Sequence, residues 1–154
     1  MRYLDFYHAF QHFAVFSLTD IRRVEPGFHR PRLIEWQQKG YIQKLTRGYY
    51  MFSNVPVDEG LLFEISNKIY APSYVSLQMA LAYHGLIPES VYGVTAVATR
   101  RTYQFKTPIA AFMFQTIKAD LFFGYDLIEH QHRHFRIASP EKAIIDYFYL
   151  HPAI

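Results

Sequence analysis

Residues 17–52 carry a dense run of start, stop and turn signals, and their order restricts what this chain can fold into. Ser17-Leu18-Thr19-Asp20 reads as a capping box: the hydroxyl accepts a backbone N–H three residues on, and the carboxylate reaches back. Leu18, Ile21 and Val24 recur at about one helical turn and predict the buried side of a short helix. Pro26-Gly27 ends it, because proline cannot continue a helix and glycine accepts positive φ. Pro31 suits the first turn of a second helix, which Leu33, Ile34 and Trp36 anchor and Gly40 closes. Tyr41-Ile42-Gln43-Lys44-Leu45 and Tyr49-Tyr50-Met51-Phe52 then flank Thr46-Arg47-Gly48, a hairpin signature. Ala14-Val15-Phe16 supplies a short third strand. Helix, turn, helix, hairpin is the order of a winged helix-turn-helix, whose natural partner is double-stranded DNA.

Charge distribution agrees with that partner. The chain of 154 residues has a formal net charge of +3. Residues 1–52 hold eight Lys/Arg against four acids, a balance of +4, so the remainder sums to −1. Positive charge therefore sits where a duplex-facing module needs it. A solvated basic face is the plainer reading of the same numbers.

Composition removes several classes. There is no cysteine, which excludes disulfides, thiolate zinc sites and a thiol nucleophile, and fits a reducing interior. No apolar run approaches 18 residues, so no membrane span is expected. The first residues lack the apolar core of a signal peptide, and a cytoplasmic protein is the expectation. The chain holds 13 Tyr and 14 Phe, which core packing explains more simply than base stacking.

Residues 2–13 read as a first helix through Leu4, Phe6, Tyr7, Phe10 and Phe13. Asn54-Val55-Pro56-Val57-Asp58 reads as a loop and a boundary, giving domains at 1–54 and 60–154. Residues 60–70 and 76–84 are helical in pattern, with a break at Ala71-Pro72 and a stop at Gly85. Strands are expected at 93–99, 103–105, 111–117, 125–128 and 134–137. Ser139-Pro140-Glu141 starts a last helix through Ala143, Ile144, Phe148 and Leu150. The fold class is α+β: an N-terminal winged helix-turn-helix, then a mixed domain with a mainly antiparallel sheet.

The second half resembles the AbiEi family of antitoxins from abortive-infection, type IV toxin–antitoxin systems. Three runs carry the resemblance: residues 72–89, from Pro72-Ser73-Tyr74 to Ile87-Pro88-Glu89; Thr95-Ala96-Val97-Ala98-Thr99-Arg100-Arg101; and residues 136–146, with Ser139-Pro140-Glu141-Lys142-Ala143 at their centre. The hairpin segment Leu45-Thr46-Arg47-Gly48-Tyr49-Tyr50 is similar to a family pattern too. Ala110 stands where the family pattern has glycine. The resemblance implies a repressor that binds operator DNA and autoregulates its operon. It also implies a cognate nucleotidyltransferase-like toxin as functional partner. Family members often continue further, so a short or truncated member is the expectation. The alternative is an interaction module that grips such a toxin without touching DNA.

Candidate contacts follow from the helix-turn-helix reading. Arg30 and Arg32 lie at the end of the second helix that reaches base edges, and arginine pairs with guanine through two bonds. Arg32, Glu35 and Lys39 share the side opposite Leu33 and Trp36. Arg47 at the hairpin tip suits a phosphate or the minor groove. Arg22, Arg23, Lys44 and Tyr49 are expected backbone contacts, and Arg100-Arg101 is either a further contact or a solvated turn. Operators of this class carry repeats, so a homodimer or two copies per site is expected.

Elsewhere the chemistry is sparse. His130, His132 and His134 alternate and would share one face of a strand; that pattern fits an exposed edge better than a metal site. His84 reads as a helix-end residue. Glu141, Lys142 and Asp146 read as the charged side of the last helix, with capping and an ion pair preferred over acid catalysis. No phosphate loop, nucleophile elbow or HExxH occurs. No cofactor, metal or enzymatic activity is expected.

Overall fold

The computed structural model describes residues 1–88 and 93–152, and the chain divides into two compact units, Met1–Val57 and Asp58–Ile154. Glu89, the last residue of the first family-like run, lies outside the described residues.

The first unit contains α1 (Tyr3–Phe10), α2 (Leu18–Val24), α3 (Pro31–Gln38), β1 (Ile42–Thr46) and β2 (Tyr49–Phe52). Its α2 begins at the expected capping box. Asp20 N donates to Ser17 Oγ at 3.2 Å, and Ser17 N donates to Asp20 Oδ2 at 2.9 Å. Two otherwise orphaned donors are thus satisfied before the first turn closes. Pro31 is the first residue of α3, where its missing N–H costs nothing. β1 and β2 pair antiparallel, with Thr46 opposite Tyr49 and Arg47-Gly48 as the loop between them. Gly48 has φ +84°, the conformation that this tight loop demands. Phe16 and Tyr50 exchange both backbone hydrogen bonds at 2.9 Å, so the segment before α2 attaches to the hairpin by one bridge.

An aromatic cluster holds this unit together. Phe6, Phe10, Phe16, Phe28, Trp36 and Phe52 are all buried, and the Phe6 ring lies 4.6 Å from Trp36 and 5.0 Å from Phe16. Two expected anchors are not in it. Val24 and Ile34 are each 59 % exposed, whereas Ile21, Leu33 and Trp36 are buried. Helices of seven and eight residues offer only one or two inward positions each, so the outer members of an apolar repeat face solvent.

The second unit is built on a six-stranded sheet. Its elements are α4 (Glu59–Ile69), β3 (Ser73–Val75), α5 (Leu77–Tyr83), β4 (Val94–Ala98), β5 (Tyr103–Lys106), β6 (Ala111–Thr116), a 3₁₀ turn (Ala119–Leu121), β7 (Tyr125–His130), β8 (Arg133–Ala138) and α6 (Pro140–Leu150). The strand order is β5-β6-β4-β3-β8-β7. Pairs β5–β6, β3–β4 and β7–β8 are antiparallel; β4–β6 and β3–β8 are parallel. The architecture is mixed α+β, with six α-helices and two mostly antiparallel sheets among the described residues. No helix among them is long and apolar enough to cross a membrane.

Successive residues of β3 reach opposite faces of the sheet. Ser73 Oγ donates to the Ser66 carbonyl of α4 at 3.5 Å, while Tyr74 Oη donates to Asp146 of α6 at 2.8 Å. No sequence pattern marks β3, because a three-residue strand buried throughout has no period to detect.

The last helix departs from expectation. Lys142 and Asp146, read from the sequence as members of the charged side of this helix with a structural hydrogen bond or ion pair, are 3 % and 1 % exposed, while Ile144 and Phe148, read as its apolar residues, are 41 % and 57 % exposed. The inversion works because the charges satisfy each other. Lys142 Nζ donates to Asp146 Oδ1 and to the Leu121 carbonyl, both at 2.7 Å; Asp146 Oδ2 accepts from Tyr74 Oη and Ser76 Oγ, both at 2.8 Å. A buried pair is tolerable only with such completion. Burial, followed by the neighbouring Asp146 carboxylate, holds the Tyr74 phenol far above its ordinary value.

Candidate nucleic-acid interface

The eight expected contact residues fall into groups that differ in how far their charge is already engaged. Arg30 lies just before α3 and is exposed; Lys44 is exposed on β1. Together with Pro31, Leu33, Ile34, Gln37 and Tyr50 they line one groove of about 300 Å³ beside α3 and the hairpin. Neither Arg30 nor Lys44 has an ion pair among the described residues, nor does Arg47, which is exposed in the hairpin loop. Tyr49 is half-buried at the start of β2.

The opposite flank of α3 is already engaged. Arg32, expected to reach base edges, is half-buried, and its guanidinium donates to the Met1 carbonyl. The Met1 ammonium in turn pairs with Glu25 at 3.3 Å. Lys39 Nζ pairs with Glu35 Oε1 at 3.1 Å and lies 5.9 Å from the Tyr41 ring. The Glu35 hydrogen bond and charge hold the Lys39 ammonium above its ordinary value, so it stays charged but locally neutralised. The expected stripe of Arg32, Glu35 and Lys39 therefore exists as a side of the helix, but not as a free cationic face.

On α2 the picture is intermediate. Arg22 and Arg23 are both exposed; Arg22 donates to the Phe28 carbonyl at 3.4 Å, and Arg23 approaches Asp20 at 4.0 Å. Both contacts are long and solvent-screened, leaving the groups accessible.

Ile34, Gln37 and Tyr50 also line the groove, although the sequence points to none of them as a contact and assigns Ile34 to the core. The signal was present: Arg30, Ile34 and Gln37 recur at four and three residues and share one helix side. An isoleucine in this pattern suggests a core position, but Ile34 is 59 % exposed and belongs to that stripe.

The histidine and acidic candidates do not assemble into a site. His130 ends β7, His132 lies in the turn with φ +68° and His134 lies on β8, so the alternation does not put three imidazoles on one strand face. No group of three His, Asp or Glu among the described residues is arranged to hold a metal ion. His84 ends α5 and its Nε2 lies 2.7 Å from the Ala138 carbonyl. Glu141 is exposed in the first turn of α6, whose cap is Ser139, accepting from Lys142 N at 3.1 Å. No protein-family model matches the chain, and no curated protein matches it.

Proposed function

We propose that this chain is a sequence-specific DNA-binding repressor whose first unit acts as a winged helix-turn-helix. Arg30 and Lys44, exposed beside α3 and without ion pairs among the described residues, are the observation that carries the reading. Cations held at a protein surface without internal partners gain most from phosphates, because no existing pair has to break. In this assignment Arg30 takes the base-edge role, Lys44 and Arg47 take phosphates, and Arg32 fixes Met1. The family-like runs of the second unit support the further role of an antitoxin that autoregulates its operon and opposes a nucleotidyltransferase-like toxin.

The test is binding to duplex DNA from upstream of the gene, measured by fluorescence anisotropy. Arg30→Ala is expected to weaken specific binding about 5- to 150-fold and to relax preference at one base pair. Lys44→Ala should weaken all duplexes alike. Lys39→Ala should change little, since that ammonium is already paired. Unchanged affinity in both Arg30→Ala and Lys44→Ala would sink the assignment.

One observation favours a second reading, in which the second unit grips the toxin and the first serves only packing. Ile145, Phe148 and Tyr149 share one side of α6 and are 58 %, 57 % and 44 % exposed, a contiguous apolar patch of the kind that marks interaction sites. Stoichiometric co-purification with the toxin, in the absence of any duplex binding, would select it.

A further inference from the structure

The first edge of the six-stranded sheet concentrates charge of one sign. Between Glu89 and Asp120 the sequence contains no acid, but it contains Arg100, Arg101, Lys106 and Lys118. All four are exposed, and none has an ion pair among the described residues. Arg100 and Arg101 follow β4, Lys106 ends β5, and Lys118 follows β6. Because β5 and β6 are antiparallel, with Tyr103 opposite Phe114, the two arginines and Lys118 lie toward one end of this edge and Lys106 toward the other.

Aromatic rings lie between them. Tyr103 is 44 % exposed on the edge strand, with Phe105 two residues on and on the same face, ring to ring 4.9 Å. The Arg101 guanidinium is 5.7 Å from the Tyr103 ring. The bend that carries the arginines is fixed by hydroxyls. Thr116 Oγ1 donates to the Arg100 carbonyl and Tyr70 Oη to the Arg101 carbonyl, both at 2.7 Å, and the Arg100 guanidinium lies over the Tyr70 ring at 4.1 Å. The cations are thus presented on a braced turn rather than on a free loop.

We propose that the β5 edge binds single-stranded nucleic acid, with Tyr103 as the stacking ring and Arg100, Arg101 and Lys118 as the phosphate grip. An exposed ring among cations on a strand is the arrangement by which single strands are held without base-edge readout. A paired duplex offers no base face to Tyr103. A strand added by another protein would have to cover Lys106 and the arginines, and edge charges of that kind oppose such pairing. This site is separate from the α3 groove and does not depend on the function proposed for it.

The experiment titrates a labelled oligo(dT) and oligo(U) of about 12 nucleotides with the full chain at about 50 mM salt. Saturable binding is expected. Tyr103→Ala should weaken it about 5- to 100-fold, and Tyr103→Phe should keep it within about twofold because the ring remains. Arg100→Ala combined with Arg101→Ala should weaken it and reduce the slope of log K against log salt by about 1.4. Arg30→Ala and Lys44→Ala should leave it unchanged, which separates this site from the duplex site. Thermal midpoints of the variants confirm folding. Four outcomes would each overturn the proposal: no binding by the folded parent chain, equal binding by Tyr103→Ala, loss on Arg30→Ala instead, and self-association that Arg100→Ala with Arg101→Ala abolishes while no oligonucleotide binds.

Discussion

Asp146 shows how much one residue of the second unit carries. Its carboxylate accepts from Lys142, Tyr74 and Ser76 while 1 % exposed. Removing it would leave the Lys142 ammonium in the interior with no counter-charge among the described residues, held by the Leu121 carbonyl and the Phe123 ring. Asp146→Ala is expected to lower the unfolding free energy by about 3–5 kcal/mol, read from urea denaturation. Tyr74 gives the pH signature of the same cluster. Its phenol is held protonated far above the ordinary value of 10.0, first by burial and then by Asp146. The folded state therefore keeps a proton that the unfolded chain releases near that value. The stabilisation is complete below about pH 10 and declines as pH rises beyond it. A Tyr74→Phe variant should show a shallower alkaline fall in thermal midpoint between about pH 9 and 11.5, and an unchanged slope would exclude this phenol as its source.

At the scale of elements, the two glycines that matter differ in what surrounds them. Gly93 precedes β4 with φ +80°, and a Cβ there would lie 2.6 Å from the Ala111 carbonyl of β6. Gly48 in the hairpin loop has φ +84°, but open space around it. An alanine at either position meets the left-handed penalty of about 1–2 kcal/mol, and only at Gly93 must a neighbouring strand also shift. Gly93→Ala is expected to destabilise the chain clearly more than Gly48→Ala, with urea midpoints as the comparison. The positions of most elements were legible because each carries local chemistry: the Ser17 box, Pro31, Gly48, and Ser139 before Pro140. The missed β3 has none, and its conformation is set by neighbours. Thr95 Oγ1 donates to the Ser76 carbonyl and accepts from Met79 N, bracketing Leu77, the first residue of α5, at φ +61°. That left-handed leucine persists only because the surrounding hydrogen bonds determine it.

For the whole molecule the decisive quantity is where charge is free. The first unit holds eight Lys/Arg against four acids, and the second holds eight against nine. If about 4–6 phosphates are neutralised per copy, log K for duplex binding should fall with log salt at a slope of about −4 to −5. A double Lys44→Ala, Arg47→Ala variant should reduce that slope by nearly two, in a salt series by anisotropy. A slope near zero in the parent chain would mean that phosphates contribute little.

Local patterns are enough to set the order of helices and hairpin, the uneven charge and the lack of thiols, because caps, turns and composition act over a few residues. Which cations remain available depends instead on how the chain folds back on itself. Arg30 and Arg32 are two positions apart and chemically identical, yet one lines an open groove and the other is bound to the Met1 carbonyl. Likewise the four-residue spacing of Lys142 and Asp146 suggests an ion pair, but only β3 and the turn before β7 make it a buried one. Both outcomes depend on partners distant along the chain, and no local pattern records what will fold against a given side chain.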